Sequence, residues 1–225
     1  MKFLKIISYP LLTIFLAVNV CCFYNATLFA IGNYKTFKWL TIGIVAYILI
    51  TKFFRKNLAY WRTFSHELTH KLVGLLFGRK IHSFTVTSEM GGAVHHSGKF
   101  SNNVLISLSP YCLPIYTYFL LIIRLMIENA YIWIFDIMIG LTVGFHAVAI
   151  FKDTQKCQQN VNQPKEYQPD IQKCGIFYSF LFIWAFLLFN AAIIIWSIPH
   201  GLNGAFVNWW DNFVIFFKFV KNILF

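Results

Sequence analysis

The run Ser65-His66-Glu67-Leu68-Thr69-His70 sets two imidazoles four residues apart, with a carboxylate directly after the first. On an α-helix, positions i and i+4 share a face about 6 Å apart, so His66 and His70 can each turn a ring nitrogen toward one Zn2+. Glu67 lies roughly 100° round the helix from His66, within reach of a water on that metal yet not needed as a ligand. The ion lowers the water's pKa toward about 7, and the carboxylate can take its proton and later hand it to a leaving amine. Hydrolysis of an amide follows from that combination. Given 7 His and 4 Glu in the chain, composition alone predicts on the order of 0.004 matches to this spacing. The competing reading of the three residues is a set of interior hydrogen bonds with no metal.

What must position these residues is a membrane protein. Of 225 residues, 58% are hydrophobic and 12% charged, with a mean hydropathy of +0.62, far from the roughly one-quarter charged share of a soluble domain. The net charge of +11 does not indicate nucleic acid, because the basic residues lie between apolar runs rather than in one patch with stacking aromatics. Five cysteines, Cys21, Cys22, Cys112, Cys157 and Cys174, form neither CxxC nor a disulfide framework. Apolar runs at 6–31, 37–54, 103–124, 131–151 and 175–197 are each close to the roughly 20 residues a helix needs to cross a bilayer. The first runs past Cys22 and is read as a retained helix rather than a signal peptide. The expected fold is therefore all-α and multi-pass, with about five to six membrane helices, a partially inserted motif helix and a small β-hairpin. It forms a single integral unit over 1–225, with N-terminal helices 1–56, a core at about 57–197 and an interfacial or spanning segment 198–225.

The Lys/Arg distribution supports partial insertion of the motif helix at 60–77. If its two ends return to one side and the N-terminus is inside, 14 basic residues from Lys2 to Lys173 are cytoplasmic and only Lys35, Lys38 and Arg124 are outside. A full crossing would flip everything after it and erase that bias. After the motif, the alternating run Ile81-His82-Ser83-Phe84-Thr85-Val86-Thr87 and the stretch from Met90 to His96 predict a hairpin, with Gly91-Gly92 in its turn. Such a hairpin could pair with an extended substrate strand or simply close over the helices. Pro110 and Pro114 free backbone groups that a lipid-facing helix could not leave unpaired, which predicts a kinked interior helix. Residues 152–174 read as a polar linker, and no internal repeat is evident.

The motif helix, Gly74 and Gly78 after it, the Gly91-Gly92 hairpin and the later apolar spans resemble, over about residues 57–197, the site-2 protease class of intramembrane zinc metallopeptidases, especially its short bacterial members. The resemblance implies a zinc cofactor, His66 and His70 as ligands and Glu67 as catalytic base, and the hairpin reading makes Gly91 and Gly92 substrate-binding candidates. It also implies membrane-protein or peptide substrates, a distal aspartate as third ligand, and a bacterial cytoplasmic membrane. The Leu-Asp-Gly and Asn-Pro-Asp-Gly forms of that aspartate are absent. Asp136 falls near the opposite membrane face and Asp211 in the C-terminal segment, which leaves Asp153 and Asp170. Asp170, in Gln168-Pro169-Asp170-Ile171, is the provisional ligand or else a helix N-cap. Asp153 is an alternative ligand or a surface carboxylate between Lys152 and Lys156. His146, ionisable and inside its span, is an alternative ligand, an oxyanion donor, a partner orienting another ligand, or a helix–helix hydrogen bond. His95 and His96 point to opposite strand faces and cannot chelate together, and His82 and His200 have no evident partner. The rival functions are a catalytically inactive peptidase-like scaffold and a transporter.

Overall fold

The structure is a computed structural model describing residues 2–87, 91–96, 103–159 and 170–224. Its elements in chain order are α1 (Lys2–Gly32), α2 (Tyr34–Phe53), α3 (Arg55–Leu76), β1 (Ile81–Thr87), β2 (Gly91–His96), α4 (Val104–Cys112), α5 (Ile115–Arg124), α6 (Ile132–Gln159), α7 (Asp170–Cys174) and α8 (Ile176–Leu224), with a single 3-10 turn leading into α6. Among the described residues, α1, α2, α6 and α8 are long and apolar enough to cross a membrane, and α4 with α5 amounts to one further span bent by 67°. The motif helix α3 is not among them. The molecule is a multi-pass α-helical membrane protein, with one two-stranded antiparallel sheet among the described residues.

The long helices associate as two parallel pairs. Tyr9 of α1 meets Tyr178 at the start of α8, and Phe29 meets Trp196 and His200 further along both. In the same way α2 runs alongside α6, with Trp39 against Trp133 at one end and Tyr47 against Phe145 toward the other. Parallel α2 and α6 need one crossing between them, and α4–α5 supplies it: Tyr111 of α4 lies by His66, which faces Asp153 near one end of α6, while Arg124 at the end of α5 pairs with Asp136 near the other. A full crossing by α3 would have made the pair antiparallel, so the two ends of α3 lie toward the same face.

Glycines allow the α2–α6 contact. A Cβ on Gly43 would overlap the Ile137 carbonyl oxygen, and one on Gly140 the Leu40 carbonyl oxygen, so the two backbones touch. In lipid, where apolar burial does not drive association, this close approach supplies the van der Waals contact that holds helices together. Gly140→Leu is expected to force α2 and α6 apart at about 1–3 kcal/mol. The check is a lower thermal midpoint in detergent than that of Gly32→Leu, because Gly32 has no atom in the way.

Three expectations need correction. The span 103–124 is two helices rather than one kinked one, because Pro114 cannot continue the ladder and Leu113 is extended. The polar linker does not begin at 152: Lys and Gln residues carry α6 on to Gln159, with the Thr154 hydroxyl bonded to the Ile150 carbonyl, and α7 occupies 170–174. Of that linker, 160–169 lie outside the described residues. Gly91 and Gly92 are paired in β2, opposite Thr87 and Val86, rather than in the turn, and 88–90 are outside the described residues. The C-terminal segment from 198 begins at a break in α8. A continuous α8 of 49 residues would measure about 70 Å against a hydrocarbon core of about 30 Å. Pro199 and Gly201, the latter at φ 69°, break it instead. The second arm folds back on the first, with Trp209 against Phe189, and Trp209 Nε1 donates to Asn19 Oδ1 of α1 at 2.9 Å.

Candidate metal centre

His66 and His70 lie one turn apart on α3, where they face α4. The bond from His70 to α4 follows from a proline. Pro110 has no N–H to give the carbonyl four residues earlier, so Ile106 O is left open inside a buried helix. His70 Nδ1 donates to it at 2.9 Å and the Ser109 hydroxyl at 2.8 Å. The carbonyl can only accept, which places a His70 proton on Nδ1 and turns Nε2 toward His66 and Asp170. His66 is fixed from α6: its Nδ1 faces Asp153 Oδ2 at 3.2 Å, which turns Nε2 toward His70 Nε2. Tyr111 of α4 packs edge-on against the His66 ring, 5.2 Å between centroids.

Asp170 arrives on α7, a single helical turn clamped to the start of α8. Gly175, at φ 93°, makes the corner between the two, and the Ser179 hydroxyl donates to Ile171 O at 2.9 Å. Ile171 is fully buried beneath it. The Asp170 carboxylate thereby reaches His70 Nε2 at 3.2 Å and His66 Nε2 at 3.9 Å, while the two Nε2 atoms are 3.2 Å apart. Lys173 lies 3.8 Å from its other oxygen.

Two imidazole nitrogens and a carboxylate oxygen thus converge on one point. His66, His70 and Asp170 form a set whose ligand atoms all lie within 4.8 Å of one another. In a tetrahedral zinc site with bonds of about 2.0–2.1 Å, ligand atoms sit about 3.3 Å apart, close to the spacings here. The donor set of two imidazoles and a carboxylate, with both rings held from behind, suits that ion. Protons compete with such an ion for the same imidazole nitrogens. Burial disfavours a charged His66, but hydrogen bonds to Asp153 and Asp170 outweigh it and raise its pKa to about 10. Burial likewise works against the Asp170 carboxylate, yet hydrogen bonds from His66 and His70 hold its pKa well below the usual carboxylate range. Glu67, buried beside the histidines, has its pKa raised by burial against their pull.

Of the other candidates, Asp153 sits behind His66 rather than in the converging set, and His146 is outside that set. Asp136 pairs with Arg124 at 2.8 Å, toward the end of α6 away from Asp153, and Asp211 is exposed on the second arm of α8. His200 stacks near Phe29 and Trp196. The hairpin lies over α3, with Phe84 edge-on to Phe64 and Lys71 Nζ above the Phe84 ring, so Gly91 and Gly92 stand in a sheet adjoining the motif helix. Sequence reasoning missed Tyr111, the Ile106 carbonyl and the position of Asp153. Pro110 was the available signal for the carbonyl, since the acceptor it frees is always four residues back. Nothing in the sequence marked Tyr111.

Fold and site together define a membrane peptidase-like protein. The family model for Peptidase M50B-like proteins matches residues 39–154, more than half of the chain, and the chain belongs to that family, the site-2 protease family. The match takes in most of α2, all of α3 to α5 and α6 through Thr154, and stops short of Asp170. No curated protein and no solved structure matches the chain.

Proposed function

We propose that the chain is a zinc-dependent endopeptidase that cuts peptide bonds within or beside the membrane. The observation that carries this reading is the convergence of His66 Nε2, His70 Nε2 and an Asp170 oxygen on one point beside Glu67. Those three side chains would hold the ion. Bound zinc supplies Lewis acidity, enough to bring a water's pKa to about 7. Glu67 then accepts the proton of the attacking water as the oxygen adds to the scissile carbonyl, and returns it to the amide nitrogen as the C–N bond breaks. Burial keeps the pKa of its carboxylate high, which makes it a stronger base than a solvated glutamate. Asp153 holds the His66 ring in the tautomer that presents Nε2, and the Ile106 carbonyl does the same for His70.

The extended end of α6 sets this chemistry near one membrane face, because Asp153 lies just past the apolar part of the helix. By the distribution of Lys and Arg that face is cytoplasmic, and water reaches the site from there. A bacterial inner membrane is the setting the family resemblance favours. Substrates are membrane proteins or peptides, with the hairpin at Gly91 and Gly92 available to pair an unwound segment.

The test is zinc content per chain in detergent-purified protein. Near-stoichiometric zinc in the native chain, lost in His66→Ala and in His70→Ala, is expected. A native protein that takes up no zinc even from added metal would remove the peptidase reading and favour a non-hydrolytic scaffold.

A further inference from the structure

Pro110 sits inside α4 without ending it. The helix runs on to Cys112, and the Leu113 N–H is donated to the Ser109 carbonyl at 2.8 Å. The 67° bend between α4 and α5 falls later, at Leu113 and Pro114, where Leu113 is extended at φ −101° and ψ 107°. Proline is the least favourable residue in a helix interior, because it withholds an N–H and its ring presses on the carbonyl four residues back. The bend needs only the later break. What Pro110 changes is the acceptor at Ile106.

Ile106 O accepts from two side chains, His70 Nδ1 at 2.9 Å and the Ser109 hydroxyl at 2.8 Å, and both bonds are buried. A carbonyl oxygen has two lone pairs, so these donors fill it. With any residue but proline at 110, a backbone N–H would claim one lone pair, and the helix fixes that N–H in place. The other would be contested by Ser109, three residues along the same helix, and by His70, reaching across from α3. The local donor has the advantage. Without the proline ring the carbonyl would also settle back along the axis of α4, away from His70. The His70 ring would then lose the bond that turns Nε2 toward His66 and Asp170.

We propose that Pro110 is a positioning residue for the metal centre: it keeps Ile106 O off the backbone ladder of α4 so that this carbonyl is left to orient His70. Naming the ion as zinc rests on the peptidase reading; the orientation of the ring does not. The test compares full-length Pro110→Ala, Ser109→Ala and the double variant with the native chain in lipid nanodiscs. Each is read by zinc affinity against a competing chelator, by the thermal midpoint of the metal-free protein, and by the metal-free His70 Nδ1–H proton resonance, assigned through its absence in His70→Gln. Pro110→Ala is expected to shift that resonance upfield, as an unbonded N–H does, and to bind zinc about 10–100-fold more weakly, the range for altering a group that orients a metal-bound histidine. Its thermal midpoint should hold or rise, because alanine favours the helix. Ser109→Ala should keep the native resonance and affinity. The double variant, with a lone pair of Ile106 O returned to His70, should regain most of the affinity lost in Pro110→Ala. Native affinity and an unmoved resonance in Pro110→Ala overturn the proposal. So does a lower thermal midpoint alongside the zinc loss, which would make the proline a packing residue. A native chain that binds no zinc would count against the peptidase reading alone, since the resonance is compared without metal.

Discussion

Glu67→Gln is expected to keep its zinc and lose peptide-bond cleavage by about 10²–10⁴-fold, the usual contribution of a positioned general base. The amide has the shape of the carboxylate, so a buried side chain at 8% exposure is replaced without a cavity. It cannot take a proton from water, which is the one act assigned to Glu67. His66, His70 and Asp170 converge without using Glu67, so metal content should not follow activity down. The comparison is made in cells by labelling new N-termini in membrane proteins with either variant expressed. Cleavage at the native level in Glu67→Gln would show that another group serves as base. Loss of zinc together with cleavage would make Glu67 a structural member of the site.

How far the sequence exposed this arrangement depended on whether the signal was local. The His66/His70 pair was legible because the four-residue spacing is itself a helical geometry, and the long apolar runs were legible because a bilayer fixes their length. Pro110 and Pro114 announced open backbone acceptors, although not which side chains would fill them. Three features depended on contacts across the chain and were hidden for that reason. The continuation of α6 to Gln159 passes through Lys and Gln, which suit a helix or a linker equally, so the position of Asp153 on the helix edge facing His66 could not be read. Asp170 lacked a recognisable flanking signature, and its approach to the histidines is set by the Gly175 corner and the Ser179 clamp, neither of which has meaning until α8 is in place. Tyr111 reaches His66 only because α4 packs on α3. Gly91 and Gly92 were misplaced because glycine marks a turn and a close strand pairing alike.

The two aspartates around His66 give the sharpest separation of roles. Asp170→Ala removes one of three converging donors and leaves two imidazoles that cannot by themselves complete a tetrahedral site, so the purified protein is expected to carry no zinc. Asp153→Asn should instead retain zinc with an affinity about 10–100-fold weaker, the range found when a group orienting a metal-bound histidine is altered. The asparagine oxygen can still accept from His66 Nδ1 at the present 3.2 Å, which preserves the tautomer, but without its charge the ring becomes a poorer donor. Competition with a chelator of known affinity reads both variants on one scale. Full zinc in Asp170→Ala alongside complete loss in Asp153→Asn would exchange the two roles, moving the ligand to α6 and leaving Asp170 to brace the histidines through α7. Equal, modest losses in both would mean that the carboxylates share the ion, and that the third position is filled differently in the metal-bound protein from the arrangement of His66, His70 and Asp170 described above.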